Sequence, residues 1–69
     1  MKVIYSDHAK KRMEEREIEE WEVKHLLEFP SHIRKSFNDR MIAVGEIGNK
    51  KIEIVFIEKE NYKKVITVI

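Results

Sequence analysis

The chain predicts an α+β fold, two helices set among strands, on three observations. Before Pro30, apolar residues recur at helical spacing: Ala9 and Met13 in one stretch, Val23, Leu26 and Leu27 in another. After Pro30 the period changes to two. Turn-forming pairs, Asn38-Asp39 and Gly48-Asn49, then cut the second half into strands. The resulting order is β-α-α-β-β-β-β, with the last four strands as an antiparallel meander.

Each element has its own signal. Val3, Ile4 and Tyr5 read as a short first strand. Ser6 is a good N-cap, and Asp7 suits the positive end of a helix dipole, so a helix starts there and runs to about residue 16. A second helix covers about residues 19–29 and stops at Pro30. No glycine, proline or asparagine separates the two. Ala9, Met13, Val23 and Leu27 stay in phase as one long helix, but Ile18 and Trp21 fall out of phase by about 180° and 120°. A break near Glu17 is therefore the better reading. Strands follow at 31–37, 40–47, 51–58 and 62–69, with a last turn at Glu60-Asn61.

Sixty-nine residues bound the rest: one small domain over 1–69, burying only about 60% of its unfolded surface. With no cysteine there is no disulfide and no thiolate. No signal peptide and no apolar run of membrane-spanning length is seen, so a cytoplasmic location is expected and no membrane contact. Fourteen basic residues against thirteen acidic argue against unspecific electrostatic binding of nucleic acid. The charges are unevenly placed. Glu17, Glu19, Glu20, Glu22 and Glu28 face one lysine, Lys24, around the second helix. Arg34, Lys35, Arg40, Lys50 and Lys51 face only Asp39 and Glu46 in the strands after it.

Two strands are apolar on both sides. Ile52, Ile54 and Phe56 oppose Val55 and Ile57; Val65 and Ile69 oppose Ile66 and Val68. Two helices cover only one face of a sheet. The second face therefore calls for a partner, a homodimer or another chain. The alternative is that strong twist and long lysine side chains hide it.

The most telling stretch is the first helix. His8, Arg12 and Arg16 are four residues apart, which on a helix puts them at about 0°, 40° and 80°. Ala9 and Met13, at about 100° and 140°, lie directly beside that strip, so it borders the packing face. Read as H-A-x-x-R-M-x-x-R-x-I, this run resembles the domain of unknown function 4258 family. So do the helix ending at Pro30 and the closing strand Val65-Ile66-Thr67-Val68. Members of that family look like compact toxin-type domains related to the RelE-like fold, a class of metal-independent ribonucleases. The resemblance implies a four- or five-stranded antiparallel sheet with two helices packed on one face. It implies RNA cleavage, as the toxin of a toxin–antitoxin pair with a protein antitoxin as partner. His8 and Arg12 carry over as catalytic residues, and Arg16 and Thr67 as substrate-binding ones. Arg40 and Lys51 join them as further substrate-binding cations. No cofactor is implied. The near-neutral charge departs from the strongly basic habit of RelE-like toxins.

Metal-free RNA cleavage needs a base for the 2′-hydroxyl proton, an acid for the leaving 5′-oxygen, and cations for the phosphate oxygens. His8 suits either proton role because imidazole titrates near neutrality. Arg12 and Arg16 suit the phosphate. A second proton carrier is less evident: His32 is the best candidate, with Tyr62 or a carboxylate behind it, while Thr67 can only bind or orient. Structural roles compete with each assignment. His8 could bond local backbone or pack on Tyr5, Arg12 could pair with Glu15 or Glu19, and Arg16 could pair with the sheet or the acidic second helix. No two histidines have zinc spacing, so no metal is expected. Trp21 is expected to pack. Two other function classes remain beside the enzyme: an inert RNA- or protein-binding module on the same strip, and a dimeric structural domain joined through the second sheet face.

Overall fold

The computed structural model describes residues 2–69. It contains β1 (Lys2–Tyr5), α1 (Asp7–Glu15), α2 (Glu20–Glu28), β2 (His32–Lys35), β3 (Met41–Ile47), β4 (Lys50–Glu58) and β5 (Tyr62–Val68). The predicted order holds, with bounds within a few residues. The five strands form one sheet in the order β1-β5-β4-β3-β2, with both helices on one face.

The sheet is mixed, not antiparallel throughout. β1 lies beside β5 and runs parallel to it, Lys2 opposite Tyr62 and Tyr5 opposite Val65. The reason lies in the element order. Each short connection reverses the chain, and six reversals separate the first element from the seventh. The chain crosses by two helices to the far edge, then returns strand by strand through the antiparallel pairs β2–β3, β3–β4 and β4–β5.

The break between helices falls where the periodicity places it. Glu17 has φ 55°, Ile18 N–H donates to Met13 O at 2.8 Å, and Glu17 N–H to Glu14 O at 3.3 Å. This is a Schellman ending with a glutamate in the left-handed position that glycine usually fills. Ile18, just beyond it, turns into the core with Met13.

Helices meet sheet over Ala43, Ile52, Ile54, Phe56, Val65 and Val68. α2 lies over β3, where Leu26 packs on Gly45 so closely that a Cβ there would collide with Leu26 Cδ2. α1 lies over β5. Along β5 the expected strict alternation fails: Val65 and Val68 both face the core. The register shifts so that Val65 opposes Phe56 and Thr67 opposes Val55, leaving Ile66 as the extra residue of a bulge. Ser6 holds that bulge. Its N–H donates to Val65 O at 3.0 Å and its hydroxyl to Ile66 O at 2.7 Å.

The second sheet face carries part of its own cover. Val44 and Val55 are only 4% and 8% exposed, although no second layer lies over them. Arg34 on β2 reaches Glu53 on β4 at 2.8 Å. Arg34 opposes Ile42 and Glu53 opposes Val44, so the pair crosses β3 between those two side chains. Long polar side chains thus account for the middle of this face. Ile42, Ile57 and Ile66 stay half-buried, and Ile69 is exposed.

Candidate functional site

Ser6 decides where α1 begins and therefore where its side chains point. The Ser6 hydroxyl accepts from Ala9 N–H at 3.0 Å while donating to the bulge carbonyl, so one side chain caps the helix and ties it to β5. Ala9 and Met13 are buried, and the strip beside them follows. His8, in the first turn, is exposed. Arg12, one turn on, is half-buried, and its Nε is fully covered with no hydrogen-bond partner. Arg16 is the C-cap, with φ −101°, and its side chain is exposed.

The structural roles that competed for the arginines do not appear. Among the described residues the ion pairs are Arg34–Glu53 and Lys50–Glu22, and neither Arg12 nor Arg16 takes part in one. His8 is equally without a side-chain hydrogen bond there. Three groups able to meet an anion thus line α1 without an acid to neutralise them.

The remaining predicted site residues do not gather on that strip. Thr67 opposes Val55 on the sheet face away from the helices, and its hydroxyl donates to Val68 O at 3.4 Å. Lys51 opposes Glu46 on that same face and is exposed. His32 opposes Val44 there and is exposed. Arg40 stands at the β2–β3 turn, its N–H donating to Phe37 O at 3.0 Å. The sheet itself separates Thr67, Lys51 and His32 from the layer that holds α1. Strict period two would set Thr67 on the same face as Val65; the bulge at Ile66 sets it on the opposite one.

Two further residues carry signals that the sequence does not single out. Tyr5 closes β1, and its hydroxyl is buried without a partner. Burial first, and the Glu20 carboxylate second, push its pKa above the usual phenol value, so it stays protonated. Glu22 is a buried carboxylate on α2. It accepts from Glu19 N–H at 2.9 Å and from Lys50 Nζ at 3.3 Å, while Lys50 also donates to Glu17 O at 2.8 Å. That cluster pins the helix–helix link to the β3–β4 hairpin. The S/T-x-x-E pattern of a capping box is hidden here because a glutamate stands at the N-cap. Trp21, expected to pack, is exposed, its Nε1 donating to Glu19 Oε2 at 3.2 Å.

No helix among the described residues is long and apolar enough to cross a membrane. No curated protein and no solved structure matches the chain. A family model does, over residues 5–69, which include the whole α1 run and every strand after it. The chain belongs to the family described as Domain of unknown function (DUF4258).

Proposed function

We propose that this is a small RelE-like, toxin-type domain that binds RNA along α1 and cleaves it without a metal, held in check by a protein antitoxin. One observation carries the reading: His8, Arg12 and Arg16 line α1 with no acidic partner. In this scheme the guanidinium groups of Arg12 and Arg16 hold a phosphodiester. His8 removes the proton from the 2′-hydroxyl, whose oxygen attacks phosphorus as the bond to the 5′-oxygen breaks. The products are a 2′,3′-cyclic phosphate and a 5′-hydroxyl. The second proton comes from water in this scheme, since His32 lies across the sheet from α1.

That placement favours a second reading, an RNA-binding module without catalysis. Both make binding weaken as salt rises, because cations on the strip displace counterions from the phosphates. Half-exposed Ile42 and Ile57, with exposed Ile69, support a homodimer through the second sheet face in either case.

The test is incubation of the full chain with 5′-labelled single-stranded RNA in chelator, alongside His8→Ala and Arg12→Ala. The ribonuclease reading expects cleavage ending in cyclic phosphate, lost in both variants while their circular dichroism is unchanged, and growth arrest on expression lost in parallel. Salt-sensitive binding without products selects the inert module. No binding at all by the folded wild type overturns both.

A further inference from the structure

We propose that the β2 edge of the sheet is a docking site for an acidic, extended segment of a protein partner, which joins the sheet as a sixth strand. The inference does not depend on RNA binding by α1.

β2 is the outermost strand on its side, and every residue from 31 to 40 is exposed. Its backbone is open outward. Ser36 N–H points inward to Arg40 O at 2.8 Å. Successive residues of a strand aim their N–H and C=O to opposite sides, so Arg34 points inward as well. The N–H and C=O of Ile33 and Lys35 then point away from the sheet, the ladder that an added strand uses. Apolar surface flanks it. Phe29 is 63% exposed at the end of α2, Ile33 42% on the strand, and Phe37 85% in the turn. Surface this apolar beside a free edge is what edges ordinarily avoid.

The charge selects the occupant. Arg34, Lys35 and Arg40 stand in this segment against Asp39 alone. Glu53 satisfies Arg34, while Lys35 and Arg40 take part in no ion pair among the described residues. A second copy would bring the same cations, setting like charge against like along a short ladder. The lysine that repels self-pairing attracts a strand carrying glutamate or aspartate at the facing positions. RNA would also be drawn by the cations, but it would leave the outward ladder and the aliphatic Ile33 unused.

The experiment is amide hydrogen exchange on the full chain, read by NMR, with a capped octapeptide alternating glutamate and valine at millimolar concentration. Exchange at Ile33 and Lys35 is expected to slow by at least about tenfold, while amides of β3 and β4 are unaffected. A lysine–valine octapeptide should have no effect on the wild type. Lys35→Glu, at an exposed position, should abolish the response to the acidic peptide. The proposal is overturned if the acidic peptide leaves both amides unchanged. It is overturned equally if only a single-stranded RNA protects them, or if they become protected on raising the protein concentration alone.

Discussion

The sheet ends on both sides in a four-residue strand, β1 at one edge and β2 at the other, and the two behave differently. β1 is held. Val3 and Tyr5 pack against the core, and Ser6 directly after it bonds to both Val65 and Ile66. All four residues of β2 are exposed, as are the four of the turn that follows. KVIY is the stronger strand former and HIRK the weaker, but both read as short strands, and propensity alone does not decide which edge is covered. The roof does. α1 lies over β5 and so shelters the β1 side, whereas α2 lies over β3 and leaves all four residues of β2 exposed. An edge strand is structural where a helix closes above it and available where none does.

The largest contrast comes from one substitution made at two places. Phe56 faces the helices from the middle of β4 and is fully buried. Phe56→Ala should cost about 3–5 kcal/mol, enough to unfold much of so small a domain. Phe37→Ala, on the β2 side, should change stability by less than about 0.5 kcal/mol. Urea denaturation of both variants checks this. A cost above about 1 kcal/mol at Phe37 would mean that the free edge is less free than its exposure indicates.

Next in size is the cluster around Glu22. Lys50→Ala leaves a buried carboxylate facing only the Glu19 N–H. Stranding a buried polar group costs about 1–3 kcal/mol, towards the lower end here because Lys50 itself is half in solvent. The double variant Glu22→Gln with Lys50→Ala should recover part of that loss, since an amide is cheaper to bury than a charge. If the double variant is the less stable of the two, the cost lay in the lysine stem and not in the charge.

Ser6 tests the joint itself. Ser6→Ala removes both the cap to Ala9 and the bond to Ile66 O, for about 1–2 kcal/mol. Ser6→Asp keeps an acceptor for Ala9 but sets a carboxylate against the Ile66 carbonyl. It should therefore fall between alanine and wild type if the cap is the main term, and below alanine if the tie to the bulge is. Thermal melts rank the three. In the second outcome, β1 is held by β5 more than by the helix.

Elements set by neighbours in the chain were readable in advance; those set by distant residues were not. The strands after Pro30 announced themselves by alternation and by Asn38-Asp39, which adopts positive φ at both positions as a two-residue hairpin turn asks. The out-of-phase Ile18 marked the break at Glu17. By contrast, the bulge at Ile66 depends on Ser6, sixty positions away, and no local pattern contains it. With the bulge went the facing of Thr67, the one candidate site residue on β5, and of Val68. The strip of His8 and Arg12 was legible because both lie within one helix. The absence of an acid partner for Arg12 was not, since Glu15 and Glu19 stood at bonding distance in sequence. The parallel β1 follows from counting reversals, which periodicity alone does not invite.

The smallest effect bears on the joint from its other end. Glu17 holds a left-handed conformation in which a Cβ crowds the following carbonyl, at a cost of about 1–2 kcal/mol. Glycine has no such cost but loses more chain entropy on folding, about 0.5–1 kcal/mol. Glu17→Gly should therefore stabilise by roughly 0.5–1 kcal/mol, raising the melting temperature by a few degrees. The Glu17 carbonyl that accepts from Lys50 remains, because it belongs to the backbone. The Glu17 side chain is exposed, so its loss removes little else. A gain in stability with RNA binding intact would show that this turn serves only to fold α1 against α2. Weaker binding in a more stable protein would place the cause in how Arg16, the adjacent C-cap, is presented. That outcome would move the working end of α1 from His8 toward the turn.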